Sequence, residues 1–307
     1  MRSVVDIVDR LDPALRHLAD ARTDLSSNLL GVVRDSLNQR RAETARHVST
    51  VGIEFENRDA GSIPVRIYRS GAPPSPTVIY CHAGAFVLGN LDTDHLQCIE
   101  LARRAACTVI SVDYRLAPEH PYPAAADDAL SVLRWAVTSA AELGVDTSRI
   151  AVAGSSAGAA LAAGLAQRSA AGSAPSVAFQ LLHQPVLDDR PTPSKKEFAA
   201  TPGFDGPATE QMWRHYLAGD AVPDGAVPAR AGDLSEVAPA LITCSELDPL
   251  RDETIDYAQR LMAAGVATEL HVFPGTVHGF DSLLPEWEIS MRLFDLQGNA
   301  LRRALHG

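Results

Sequence analysis

Between residue 77 and the C-terminus, short apolar runs alternate with segments of helical period, and this alternation limits the possible folds more than any other feature. The runs are TVIYC (77–81), TVISVDY (108–114), RIAVAG (149–154), FQLLHQPV (179–186), ALITCS (240–245) and TELHVF (268–273). Each has the length of a strand and is too short for a helix, and several are rich in β-branched residues. Helical patterns separate them, from about Asp94 to Ala105, Ala124 to Ala140, Ala157 to Ala171, Thr254 to Ala264 and Pro285 to Leu305. Strand followed by helix, repeated, builds a parallel sheet with helices on its faces. Ahead of these runs, VGIEFE and VRIYR flank a turn rich in Asp59, Gly61 and Ser62, and their period of two predicts an antiparallel hairpin. The expected fold class is therefore α/β, with a mostly parallel central sheet flanked by helices.

Two segments stand outside this rhythm. The first 48 residues are polar with apolar positions at helical spacing (Val5, Val8, Leu11, Leu15, Leu18), interrupted at Asp12-Pro13, where a new helix could start. Residues 188–228 hold several prolines and glycines around the short aromatic helix EQMWRHYL. Both need a partner for their apolar faces, and the second interrupts the alternation where a lid could cover the carboxyl edge of the sheet. The expected organisation is a helical cap made of 1–48 and 188–228 on a core made of 49–187 and 229–307.

The sharpest local signal is Gly154-Ser155-Ser156-Ala157-Gly158, a G-x-S-x-G between an apolar strand and an alanine-rich helix. A tight strand-to-helix turn needs small neighbours, and it presents a serine hydroxyl at a helix N-terminus. The same pattern could also simply pack a helix close to its strand. Only Ser156 has glycine two positions before and two after, so Ser156 is the candidate nucleophile. A serine hydroxyl needs a base to take its proton and a third group to hold that base. Asp248 follows the strand ALITCS, and His278 lies in the loop PGTVHGF after TELHVF. Both fall on loops at the edge expected for Ser156, although either alone reads more readily as an ordinary structural residue, since most aspartates after strands cap helices. His271, within a strand, reads as a packed or solvent-facing residue. Cys81 to Phe86, directly after TVIYC begins its exit from the sheet, has the small side chains that let a substrate oxygen approach backbone donors.

Taken together, these motifs resemble the hormone-sensitive-lipase-like esterases of the α/β-hydrolase superfamily over roughly Thr77 to Phe280. The resemblance rests on His82 to Phe86, on Asp113 to His120 followed by Tyr122 to Ala125, on the serine elbow, on Asp248 to Glu253, and on His278-Gly279-Phe280. It implies Ser156 as nucleophile, Asp248 as acid and His278 as base. It also implies an oxyanion hole from the backbone N–H groups of Gly84, Ala85 and Ala157, with His82 bracing that loop. The Asp113–Ala125 stretch is then scaffolding, which makes His120 a poor base. Two departures bear on substrate range. Ala83 and Ala85 replace two of the family's three glycines, which narrows the backbone angles and crowds the acyl pocket. Ser155 stands where the family has an aspartate and removes a carboxylate from the support of the site. Phe86, Trp213 and Phe280 are expected to contact substrate, with Met212 and Tyr216 beside Trp213.

Composition narrows the partners. The formal net charge of -11 repels phosphate backbones, so nucleic acid is not an expected ligand. No apolar stretch approaches a membrane span and the N-terminus lacks the pattern of a secretory signal, so a cytoplasmic protein is expected. Cys81, Cys98, Cys107 and Cys244 lack metal-site spacing and read as buried thiols; no metal or organic cofactor is implied. The expected activity is hydrolysis of short to medium acyl esters. Amidase or dehydratase chemistry on the same fold, or a non-catalytic small-molecule-binding relative, are the alternatives. TELHVF, expected at the sheet edge from Thr268 to Phe273, is where similar proteins commonly form homodimers.

Overall fold

Eight strands form a single sheet in the order β1-β2-β4-β3-β5-β6-β7-β8 in the computed structural model, which describes residues 7–219 and 221–307. They are β1 (Glu54–Ala60), β2 (Ile63–Arg69), β3 (Ser75–Cys81), β4 (Thr108–Val112), β5 (Val145–Ser155), β6 (Phe179–His183), β7 (Ala240–Ser245) and β8 (Thr268–Phe273). β1 and β2 are the expected hairpin, and β2 also pairs antiparallel with β4. From β4 to β8 every pairing is parallel. Every residue of β3, β4, β6 and β7 is buried, as befits parallel strands covered by helices on both faces. β8 lies at the edge and is only partly covered, with Val272 40% exposed.

The sequence of strands reverses around β3, which has β4 on one side and β5 on the other. Such a reversal opens a crevice at the carboxyl ends of the strands, where ligands of open α/β sheets bind. Register brings those ends level: Cys81 of β3 lies opposite Gly154 of β5, and Ser155 of β5 opposite His183 of β6.

The helices lie close to their expected positions, at His95–Ala105, Ala124–Thr138, Ala157–Ala170, Arg251–Ala263 and Glu288–His306. Arg251–Ala263 starts three residues earlier than expected, because Asp248 turns the chain directly into it and accepts from Arg251 N–H through its backbone carbonyl. One face of the sheet buries a large apolar cluster with Ala124–Thr138 and Ala157–Ala170, and the other packs His95–Ala105 against Glu288–His306.

The N-terminal segment departs from one continuous amphipathic stripe. Val5 lies outside the described residues. Asp12 caps a 3-10 turn, Pro13–Leu18, by accepting from Ala14 N–H, so the break expected at Asp12-Pro13 is a true helix start. Leu11 and Leu15 are fully buried, but Val8 is exposed, because the break rotates the two halves relative to each other. A long polar helix, Leu30–His47, follows. Its Arg34 donates to the carbonyls of Val87 and Ala117 and to Glu119, which fixes the helix to the loop after β3. The 188–228 segment contains two helices, Pro193–Glu197 and Gly206–Leu217, the second longer than EQMWRHYL because Asp205 caps it four residues earlier. The two outlying segments meet: Gln211 accepts from Leu25 N–H, and His215 Nε2–H donates to the Leu25 carbonyl.

Candidate active site

Ser156 sits at the point where β5 ends and helix Ala157–Ala170 begins, with φ 55° and ψ -118°. A non-glycine residue in that region carries strain of about 1 to 3 kcal/mol, sustained only where surroundings over-determine it. Here they do. Ser156 N–H donates to the His183 carbonyl, and the Ser156 carbonyl accepts from Val186 and Ala159. The flanking glycines are required by space. A Cβ on Gly154 would lie 2.4 Å from the Gly158 backbone, and one on Gly158 would lie 1.9 Å from the Cys81 carbonyl oxygen. The close approach of helix to strand and the sharp turn at Ser156 thus have one cause.

Around this turn the structure brings together the three residues singled out in the sequence. His278 Nε2 is 3.0 Å from Ser156 Oγ, and His278 Nδ1 is 2.8 Å from Asp248 Oδ2. A carboxylate only accepts, so Nδ1 carries the proton and Nε2 is the lone pair facing the serine hydroxyl. Asp248 is fully buried, and its other oxygen accepts from Leu250 N–H at 2.9 Å, which fixes the carboxylate plane. Phe204, from the 188–228 segment, packs on the His278 ring with centroids 5.0 Å apart.

The loop after β3 carries the expected oxyanion donors. Gly84 has φ 141°, and a Cβ there would meet the Leu88 carbonyl oxygen at 2.0 Å, so glycine is obligatory. Ala85 and Phe86 follow at φ 54° and φ 60°. Ala85 therefore occupies a left-handed conformation that glycine would adopt without penalty, which is the physical content of the alanine departure. The N–H groups of Gly84, Ala85 and Ala157 donate to no protein acceptor among the described residues.

His82 is buried beneath this loop. Its ring stacks on Tyr114 with centroids 4.2 Å apart, and its Nδ1–H donates to the Ala83 carbonyl at 2.7 Å. Burial lowers its pKa and keeps the imidazole neutral. Tyr114, in turn, donates to the His82 carbonyl, which gives the Asp113–Ala125 stretch its scaffolding role. Ser155 is buried on β5 opposite His183. His271 is exposed beside Glu269, and His120 is exposed as well.

Two supports have no recognisable sequence signal. Asp94 Oδ2 accepts from both Ala83 N–H at 2.8 Å and Tyr80 Oη–H at 2.9 Å, anchoring the start of the donor loop. Gln184 accepts from Gly279 N–H at 2.7 Å and donates to Ser245 Oγ, holding the loop that carries His278. Behind them, buried His183 lies 3.1 Å from Asp281, which also accepts from Gln97. Burial alone would raise the Asp281 pKa, but His183 and the Gln97 bond pull it down to about 2.

The three expected substrate contacts fare differently. Phe86 is 1% exposed and stacks on Tyr216 with centroids 3.7 Å apart, and Trp213 packs against both. Phe280 is fully buried between Phe273 and Trp287 in the cluster that also takes in Leu11 and Leu15. All four cysteines are free and buried, and burial pushes the Cys81 thiol up to about 12. Among the described residues no helix is long and apolar enough to cross a membrane.

Comparison with known proteins agrees with this geometry. Residues 78–282 match the family described as alpha/beta hydrolase fold. Esterase LipW from Mycobacterium marinum superposes with a TM-score of 0.96 at 59% identity, covering 98% of each chain. Esterase LipI of Mycobacterium tuberculosis is 38% identical over 97% of this chain and 96% of its own. Carboxylesterase NlhH of the same species is 38% identical over 96% of this chain and 97% of its own. With its parallel sheet, its serine elbow and these relatives, the chain belongs to the α/β-hydrolase fold family, in its hormone-sensitive-lipase-like branch.

Proposed function

We propose that the chain is a serine carboxylesterase that hydrolyses short to medium acyl esters through Ser156, His278 and Asp248. The observation that carries this reading is the continuous hydrogen-bond line from Asp248 through His278 to Ser156, at 2.8 and 3.0 Å, on a turn strained to present the serine. His278 takes the proton as Ser156 Oγ attacks the ester carbonyl, and Asp248 stabilises the imidazolium. The N–H groups of Gly84, Ala85 and Ala157 receive the negative charge on the carbonyl oxygen, preorganised by their loops so that no rearrangement is needed as it forms. His278 then gives its proton to the leaving alcohol. Water repeats the sequence against the acyl-enzyme and releases the acid.

Size selection follows from the walls. The stacked Phe86 and Tyr216 and the Ala85 methyl group leave less room beside the donor loop than glycines would, favouring small acyl groups. Segments 1–48 and 188–228 act as a cap that keeps water from the site, and Phe204 is the cap residue closest to the base. The edge strand Thr268–Phe273, with Val272 exposed, is the surface for a homodimer. Steady-state assays on aryl esters of graded chain length, with an amide of the same acyl group alongside, test the reading. Wild type should prefer the ester, and Ser156→Ala should lower ester kcat by about 10⁴-fold or more. Ester turnover near the wild-type rate in Ser156→Ala would overturn it.

A further inference from the structure

The chain contains only two lysines, Lys195 and Lys196, against 38 acidic residues. Both line one cleft of about 740 Å³, between helix Gly206–Leu217 and the 189–199 segment, a volume suited to a small organic ligand. Pro191, Pro207, Leu217 and Val222 give the cleft an apolar floor. Trp213 forms part of the same wall, and its Nε1–H is a buried donor with no acceptor among the described residues.

The charges around the cleft divide into committed and uncommitted groups. Arg190 is held by Asp188, Asp189 by Arg230, and Lys195 by Glu253. Lys196 and Arg214 line the cleft with no carboxylate in ion-pair range among the described residues, and the one opposing group of the same kind is Glu210. Among the described residues, two unpaired cations against one unpaired anion, in a chain of net charge -11, make this an unusual surface for the molecule. An apolar lining and a cationic rim are complementary to an apolar chain ending in a carboxylate.

We propose that this cleft binds an amphipathic monocarboxylate, the chemical class of the acid that ester hydrolysis releases, at a site separate from Ser156. The match to the released acid rests on the esterase reading; the site itself does not. The cleft is not remote from catalysis. Trp213 packs at 6.0 Å on Phe86 of the donor loop, and Ser194 ties the cleft wall to the Pro249 carbonyl and to Asp252, immediately after Asp248.

The test is a calorimetric titration of octanoate, with octanol as the neutral probe of equal length, onto enzyme whose Ser156 is blocked by a phosphonate. The expected result is one octanoate per chain on the blocked enzyme, bound more tightly than octanol. The double substitution Lys196→Ala/Arg214→Ala should weaken octanoate by about tenfold while leaving octanol unchanged. Lys196→Arg/Arg214→Lys should restore it. Loss of octanoate binding when Ser156 is blocked, or equal octanoate affinity in the alanine variant, would overturn the proposal. If the phosphonate fails to label Ser156, the hydrolase reading fails, and the same titration on the Ser156→Ala protein still decides the cleft.

Discussion

At the scale of single residues, the site divides into groups with a chemical signature and groups without one. Ser156, Asp248 and His278 are legible in the sequence because nucleophile, acid and base follow in a fixed order at the ends of recognisable strands. Asp94 and Gln184 are illegible because their work is to hold backbone N–H groups of other loops, Ala83 and Gly279, and an aspartate or glutamine doing this looks like any other. Asp281 shows how such support can be measured. Its carboxyl is fully buried, and the His183 imidazole beside it pulls its pKa below the usual carboxylate range, to about 2. The lowered folded pKa means that its stabilisation is present above about pH 4 and is lost as pH falls toward 2, a contribution of about 2 kcal/mol. Asp281→Asn should therefore lose stability at neutral pH and unfold with a flatter pH dependence between pH 4 and 2 than wild type. Urea unfolding across that range checks it; parallel curves for the two proteins would show that Asp281 is not the titrating group.

Elements set the geometry that residues alone cannot. Helix Ala157–Ala170 approaches β3 so closely that Gly158 lies against the Cys81 and His82 carbonyls. Its N-terminus and the donor loop are thereby held in one rigid unit with the elbow. Gly158→Ala places a methyl group where backbone atoms already stand, and side-chain rotation cannot relieve it. We expect a loss of about 2 kcal/mol or more, a melting temperature several degrees lower, and kcat reduced at least tenfold in the folded protein. Thermal melts with steady-state kinetics check this, and an unchanged kcat would mean that the donor loop does not depend on the helix contact. The alternation of strands and helices predicts nearly every core element. The N-terminal segment is less legible, since Val8 shares the helical period of Leu11 and Leu15 yet faces solvent once Asp12 starts a new turn. The packing of Phe280 is illegible for a related reason: a motif places it beside His278 in the chain, and the short helix that it starts buries its ring against Phe273 and Trp287.

On the scale of the whole molecule, the loops after β3, β5, β7 and β8 converge because neighbouring strands end close to level at the carboxyl edge and the strand order reverses at β3. Residues 7–48 and 188–219 are joined to each other through Leu25, and the first of them is tied to the loop after β3 by Arg34. Pairing of these segments is not readable from local pattern, because it depends on single hydrogen bonds between residues nearly two hundred positions apart. Under the proposed function, substrate size and the cleft around Lys196 belong to these outer segments, while the chemistry assigned to Ser156 belongs to the loops at the sheet edge. Incubation with a fluorophosphonate, followed by peptide mass spectrometry and residual esterase assay, tests that assignment most directly. One adduct per chain on Ser156, formed in step with loss of activity and absent from His278→Ala, is the predicted result; full esterase activity in protein quantitatively labelled at Ser156 would contradict it.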